Sequence, residues 1–210
     1  MTHPIVTEST PLVNPYWDYA RNKIACEERL MQAYRDEGFP MVVVRPSLTY
    51  DTVIPLAFAS WSDYTLVARM KQGRPVVVHG DGTSLWTVTH ADDFAKGFVG
   101  LMGSQQATGQ AFHITSDEIL NWNQIYEAVA AAAGVEAKLV HVPSENICAV
   151  AEQLGQAGVR GSLLGDKSWS VIFDNSKIKR FVPDFRATIP FAAGIRRTLA
   201  WFAADQPQDC

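Results

Sequence analysis

Tyr16-Trp17-Asp18-Tyr19-Ala20-Arg21-Asn22-Lys23 opens a helical pattern over residues 16–37, and Met41-Val42-Val43-Val44-Arg45 follows as an apolar, β-branched run. Helical spacing sets Tyr19 and Lys23, four residues apart, on one face. A phenol beside an ammonium is a candidate proton-transfer pair, because a neighbouring positive charge favours the phenolate. Taken singly the pair says little, since a half-buried tyrosine beside a solvated lysine gives the same pattern. Ile24, Leu30, Met31 and Tyr34 are the candidate core positions of this helix, and Gly38 its stop. The run 41–45 reads as a buried strand of a parallel sheet, stopped by Pro46.

Outward from this stretch, strands and helices alternate. Residues 1–15 are polar and Pro-rich and read as a loop. A helix over 62–72 is closed by Gly73, Val76–His79 is a strand, and Gly80-Asp81-Gly82 a turn. Leu85–Thr89 is extended. Ala91–Met102 is a helix with Asp92 and Asp93 in its first turn, where carboxylates suit the dipole. Ala111–Ile114 is a strand. Asn121 caps a helix from Trp122 to Ala133, stopped by Gly134. Lys138–Val142 is a strand, and Ser144 caps a helix to about Leu154. Residues 155–170 are Gly-rich and irregular, Ser176–Phe181 is a short helix, and a last helix covers Pro190–Ala203. The alternation argues α/β.

Composition bounds the function. Of 210 residues, 47% are hydrophobic and 19% charged, which is ordinary for a globular chain. A net charge of -4 gives no bulk attraction for nucleic acid, so DNA is not an expected partner. No apolar run is long enough to span a bilayer, and the first ten residues lack the regions of a signal peptide. Cys26, Cys148 and Cys210 stand far apart without metal-ligand spacing, so no metal is expected. A reduced, cytoplasmic setting follows.

Several motifs, in order, carry a resemblance. Glu8-Ser9-Thr10-Pro11-Leu12 leads to Tyr16 and then to Tyr19-Ala20-Arg21-Asn22-Lys23. Val44-Arg45-Pro46-Ser47-Leu48-Thr49-Tyr50 follows, then Val78-His79-Gly80-Asp81-Gly82 and Thr89-His90-Ala91-Asp92-Asp93. Gly165-Asp166, Asp174-Asn175-Ser176-Lys177 and Gly194 to Trp201 close the series. In this order and spacing the chain resembles the extended short-chain dehydrogenase/reductases, the NAD(P)-dependent epimerases and dehydratases. The resemblance implies an α/β fold: part of a Rossmann-like parallel sheet plus a small α/β substrate-binding domain. Residues 1–60 would belong to the Rossmann-like part and 61–210 mainly to the substrate domain, with a strand near 111–114 returning to the Rossmann sheet. The family's Gly-x-x-Gly-x-x-Gly turn, which lets a pyrophosphate approach a helix N-terminus, has no counterpart here. Its catalytic Ser or Thr falls farther upstream than this sequence reaches, and Ser9 and Thr10 are too close to Tyr19 to replace it. The expectation is the C-terminal part of a longer enzyme, inactive as this piece.

By resemblance, Tyr19 is the general acid/base, and Lys23 holds the nicotinamide ribose of NAD or NADP and favours the phenolate of Tyr19. Pro46, Ser47 and Leu48 line the nicotinamide, and Thr49, Tyr50 and Trp86 are substrate-binding candidates. The substrate is a small molecule, with a sugar derivative as the family's example. Nucleotide-sugar enzymes of the family usually carry an Arg where this chain has Trp86, and another near Leu163-Leu164; such arginines clamp a diphosphate. Leu48 and Asp51 also replace a frequent Asn and Gly, and together these departures argue against a nucleotide sugar. His79, His90 and His113 read as packing or capping groups rather than ligands, Asp92 and Asp93 as helix-start carboxylates, and Trp86, Trp122 and Trp169 equally as core or rim. Two further readings stay open: a non-catalytic binding protein, for a small molecule or RNA, on the same scaffold, and an autonomous interaction module whose exposed sheet edge a second copy covers. A homodimer through the Tyr19 helix is the family's precedent.

Overall fold

The computed structural model describes residues 5–57, 61–156 and 158–205. The expected boundary at residue 60 and Cys210 lie outside them.

The elements run in the order β1 (Ile5–Val6), α1 (Asp18–Glu37), β2 (Val43–Pro46), β3 (Leu48–Tyr50), α2 (Thr65–Lys71), β4 (Val76–His79), β5 (Leu85–Trp86), β6 (Val88–His90) and α3 (Ala91–Leu101). A 3-10 turn at Gln105–Ala107 leads to β7 (Ala111–Ile114), β8 (Leu120–Asn121), α4 (Trp122–Ala132), β9 (Leu139–Val142), α5 (Ser144–Gln153) and α6 (Gly158–Ser162). A π turn at Leu163–Lys167 precedes β10 (Ile172–Phe173), α7 (Ser176–Phe181) and α8 (Phe191–Asp205). Strands pair across long sequence separations and mostly in parallel. β2 runs beside β7 with Val43 opposite Ala111, β3 beside β6, β4 beside β9 and β1 beside β10. Only β5 and β8 pair antiparallel among the described strands. Parallel pairs with helical crossovers are the signature of an α/β fold.

Two apolar cores hold these layers. The larger gathers Val76 and Val78 of β4, Trp122, Ile125, Tyr126 and Val129 of α4, and Phe191, Ile195 and Leu199 of α8. The smaller packs Phe112 and Ile114 of β7 against Leu101, Ile178 and Phe185. Asn121 starts α4 with a capping box: its side chain accepts from Gln124 N at 2.9 Å, and its own N–H donates to Gln124 Oε1 at 2.9 Å. Both orphan donors are thereby satisfied. Asn121→Ala is expected to cost about 1 kcal/mol, read as a lower urea midpoint with unchanged slope.

β2 ends at Pro46, as read, and Pro46 itself is the last residue in register, opposite Ile114, which a proline tolerates where its N side needs no strand partner. Four sequence expectations are corrected. Ser144 is not the cap of α5. Pro143 takes that position, its ring fixing φ at −52°, and the Ser144 hydroxyl meets the Ser168 hydroxyl at 2.9 Å instead. Residues 5–6 form a strand rather than loop, and the segment expected to be irregular contains α6 and the π turn.

The fourth concerns α1. Its length is as read, and Gly38 ends it at φ 68°, a left-handed conformation that costs a glycine little. None of its residues is buried, however; Leu30 and Tyr34 are exposed. Among the described residues α1 is anchored at points instead of along a face. Glu27 pairs with Arg45 of β2, with Arg45 Nε donating to Glu27 Oε2 at 3.0 Å, and the Tyr34 ring lies close against Gly109.

Candidate functional site

The loop before α1 is locked by one side chain. Asn14 Oδ1 accepts from the N–H groups of Tyr16 and Trp17, each at 3.1 Å, and its Nδ2 donates to Gly165 O at 2.6 Å. The first two bonds bend the chain into the helix; the third ties that bend to the π turn. Close approach requires glycine here, since a β-carbon at Gly161 would overlap the Trp17 ring. Tyr19, two residues later, packs its ring 4.9 Å from that of Trp17.

This docking leaves a cleft of about 890 Å³ between the start of α1, the β2–β3 junction and the segment 158–173. Tyr19, Pro46, Ser47, Leu48 and Trp86, singled out from sequence, all border it. Ser47 and Leu48 sit where β2 ends and β3 begins, and the Ser47 hydroxyl is 2.7 Å from Thr89 Oγ1, itself the acceptor of the Ser116 N–H at 2.8 Å. Lys23 does not border the cleft. Its ammonium lies over the Tyr19 ring, 5.5 Å from the centroid, as a cation–π contact.

Thr49 and Tyr50 do not border the cleft either. Thr49 Oγ1 donates back to Ser47 O at 3.4 Å. Tyr50 is 1% exposed, set edge-on between His90 and Phe191, and its hydroxyl donates to Phe191 O at 3.5 Å. Burial pushes its phenol far above the ordinary range, with the nearby carboxylates acting in the same sense. Trp86 is buried, stacked 5.9 Å from Trp122, and its Nε1 has no hydrogen-bond partner among the described residues.

Sequence reasoning missed the opposite wall, which includes Trp17, Trp61, Asp166 and Lys167. Lys167 Nζ bonds Asp166 Oδ2 at 3.0 Å and stands 5.6 Å from the Trp17 ring centroid. Burial pushes the Asp166 carboxyl up, and Lys167 offsets this only in part. The Lys167 carbonyl oxygen accepts from His79 Nε2 at 3.0 Å, Ser84 Oγ at 3.1 Å and Trp122 Nε1 at 3.1 Å. Because a carbonyl only accepts, His79 carries its proton on Nε2; burial holds this imidazole below its ordinary value, so it stays neutral. The signal available was Gly165-Asp166, already part of the motif series, with a lysine directly behind it.

The remaining polar candidates are structural. His90 caps α3, its Nδ1 accepting from Asp92 N at 3.2 Å. His113 packs edge-on against Phe173, and its own N–H donates to Glu8 Oε1 at 2.9 Å. Asp93 is a buried strap: it accepts from Lys96 Nζ at 2.6 Å, Thr188 N at 3.0 Å and Ile189 N at 2.8 Å. Burial pushes its carboxyl up, but Lys96 and the two N–H groups outweigh that and hold it below the usual carboxylate range. A folded value below the unfolded one gives stability that is present above about pH 4 and lost as pH falls through the folded value. Urea midpoints should therefore drop below about pH 4, with a smaller drop in Asp93→Asn, which starts from a lower midpoint.

No described helix is long and apolar enough to cross a membrane. Residues 2–115 match the model of the NAD dependent epimerase/dehydratase family. Of the residues bordering the cleft, Trp17, Tyr19, Pro46, Ser47, Leu48 and Trp86 fall within the family match. Over 182 residues the chain is 31% identical to the 2'-dehydrokanamycin reductase of Streptomyces kanamyceticus, covering 86% of this chain and 49% of that protein. It is 26% identical to a dTDP-glucose 4,6-dehydratase of Actinoplanes, covering 95% of this chain and 55% of that protein. DesIV, a dTDP-glucose 4,6-dehydratase of Streptomyces venezuelae solved with NAD and TYD bound, superposes at TM-score 0.72 and 18% identity over 98% of this chain and 56% of its own. The chain thus spans about half the length of the curated relatives it matches. With parallel strand pairs, a Rossmann-type likeness and a family match across Tyr19, Lys23 and the Arg45-Pro46 strand end, the chain belongs to the NAD dependent epimerase/dehydratase family.

Proposed function

We propose that this chain supplies the proton-transfer wall and most of the substrate side of an NAD(P)-dependent reductase, epimerase or dehydratase acting on a small sugar-like molecule. The observation that carries the reading is the position of Tyr19: it borders the same cleft as Pro46, Ser47 and Leu48 at the β2–β3 junction, with the Lys23 ammonium against its ring. Ligands of doubly wound folds lie beyond the carboxyl ends of parallel strands, and β2 ends at this cleft.

In this reading the Tyr19 phenol exchanges a proton with a substrate hydroxyl or carbonyl, as a positioned general acid/base does. Lys23 holds its ammonium against the Tyr19 ring, and Asn14 keeps the helix start in place through Gly165. The nicotinamide end of the cofactor fits the residues present: a strand-end turn carrying Ser47, backbone at Pro46 and Leu48, and a lysine beside the phenol. No glycine-rich dinucleotide turn is among the described residues, where the Gly80–Gly82 turn instead joins β4 to β5. NAD(P), when bound, supplies hydride exchange. Trp86 and the aromatic wall face the substrate; Thr49 and Tyr50 support the junction from behind.

Residues 1–60 are assigned to the Rossmann-like part and most of 61–210 to the substrate part, with β7 returning beside β2. The uncovered face of α1 supports a homodimer through that helix. Turnover, followed by nicotinamide absorbance in a protein that joins this chain to a glycine-rich dinucleotide-binding half, compared with turnover of its Tyr19→Phe variant, tests the proposal. Equal rates would favour the non-catalytic binding reading of the scaffold.

A further inference from the structure

Among the described residues bordering the cleft, Lys167 is the one cation and Asp166 the one anion. They are joined at 3.0 Å, and the ammonium also lies over the Trp17 ring. Lys167 is 5% exposed, so its charge is answered twice before any ligand arrives. Its main chain is held as well, by the three donors from His79, Ser84 and Trp122 on its carbonyl. Turning the ammonium toward a ligand would break the pair and strand the largely enclosed Asp166 carboxylate, which is costly. The neighbouring walls are aromatic: Trp17, Tyr19, Trp61, Trp86 and Phe173. Flat aromatic faces suit the C–H faces of a ring, while a few polar groups orient it.

We propose that the Asp166–Lys167 pair sets the substrate class of this cleft, excluding diphosphate-bearing ligands and admitting uncharged ring polyols and their ketones between the aromatic walls. The inference rests on the reading of this cleft as the substrate site. A diphosphate entering here would lose water and find a carboxylate but no unpaired cation, whereas diphosphate recognition needs free guanidinium or ammonium donors. An uncharged ring loses less hydration and gains the aromatic contact.

Isothermal titration of thymidine diphosphate, inorganic pyrophosphate and methyl glucoside into the chain tests this, beside Asp166→Asn. The amide keeps the shape of the carboxyl, removes its charge and releases the Lys167 ammonium. The parent is expected to bind both phosphates with Kd above about 1 mM and the glucoside more tightly than either. Asp166→Asn should bind both phosphates at least tenfold more tightly, with the gain shrinking as salt rises. A folded Asp166→Asn without that gain overturns the proposal. So does a parent that binds thymidine diphosphate below about 0.1 mM or prefers it to the glucoside, and that measurement holds even where the variant does not fold. Because the readout uses neither cofactor nor turnover, it can fail while the Tyr19 reading stands, and the reverse.

Discussion

Tyr19→Phe, in a protein that joins this chain to a dinucleotide-binding half, is expected to lower turnover by about 10²- to 10⁴-fold, the usual contribution of a positioned acid/base group, with nicotinamide cofactor binding changed no more than a few-fold. The substitution removes one oxygen and keeps the ring. That ring makes the contacts with Trp17 and with the Lys23 ammonium, so the start of α1 should hold its place. Tyr19 is 55% exposed, and surface changes of this kind fall within about 0.5 kcal/mol of neutral. A loss of rate without a loss of stability is therefore the expected signature. Tyr50→Phe is the control, since it removes a hydroxyl of the same chemistry from a buried site outside the cleft. Its hydroxyl makes a long, 3.5 Å bond to Phe191 O, and its removal should move the urea midpoint more than the rate. If Tyr19→Phe turns over at the parental rate, Tyr19 is not the proton-transfer group, whatever its place in the motif.

Much of this was legible from local pattern, and the exceptions share a cause. β4 and β7 fall where their residue runs place them, because an apolar run between turn residues is a local signal. Pro46, Ser47 and Leu48, singled out by resemblance, border the cleft at a strand end, the edge where a doubly wound fold places its ligands. Tyr50 read differently from its actual setting. Along 48–50 alternate side chains face opposite ways, and which face is covered depends on Phe191, far along the chain. Asp166 and Lys167 escaped for the same reason. Adjacent opposite charges in a Gly-rich segment carry no local sign of burial, and these two are enclosed where residues 14–17 dock on Gly161 and Gly165. The α1 core positions failed in the opposite direction: an amphipathic period says a face can be buried but does not supply the partner.

Trp122→Ala is expected to be the most destabilising single change in the larger core, at about 3–5 kcal/mol. Against a total of about 5–15 kcal/mol for a domain, that loss would leave a large unfolded fraction in mild denaturant. Trp122 is fully buried, stacks on Trp86, meets His79 edge-on at 5.1 Å, and donates its indole N–H to Lys167 O. Truncation removes all three contacts and leaves a cavity that α4, anchored by its capping box, cannot easily close. Trp122→Phe separates the components. It keeps much of the apolar volume and deletes the N–H, while Lys167 O retains His79 and Ser84 as donors. With the acceptor still satisfied, the lost bond itself should cost about 1 kcal/mol, measured by urea unfolding followed in far-ultraviolet circular dichroism. An alanine variant losing less than about 1 kcal/mol would show that the core does not depend on this ring. The expected ranking, alanine far below phenylalanine, ties the fold to the site. The side chain that fills the core behind Trp86 is also one of three groups fixing the backbone of Lys167, so core packing and the charge arrangement of the cleft are set by the same residue.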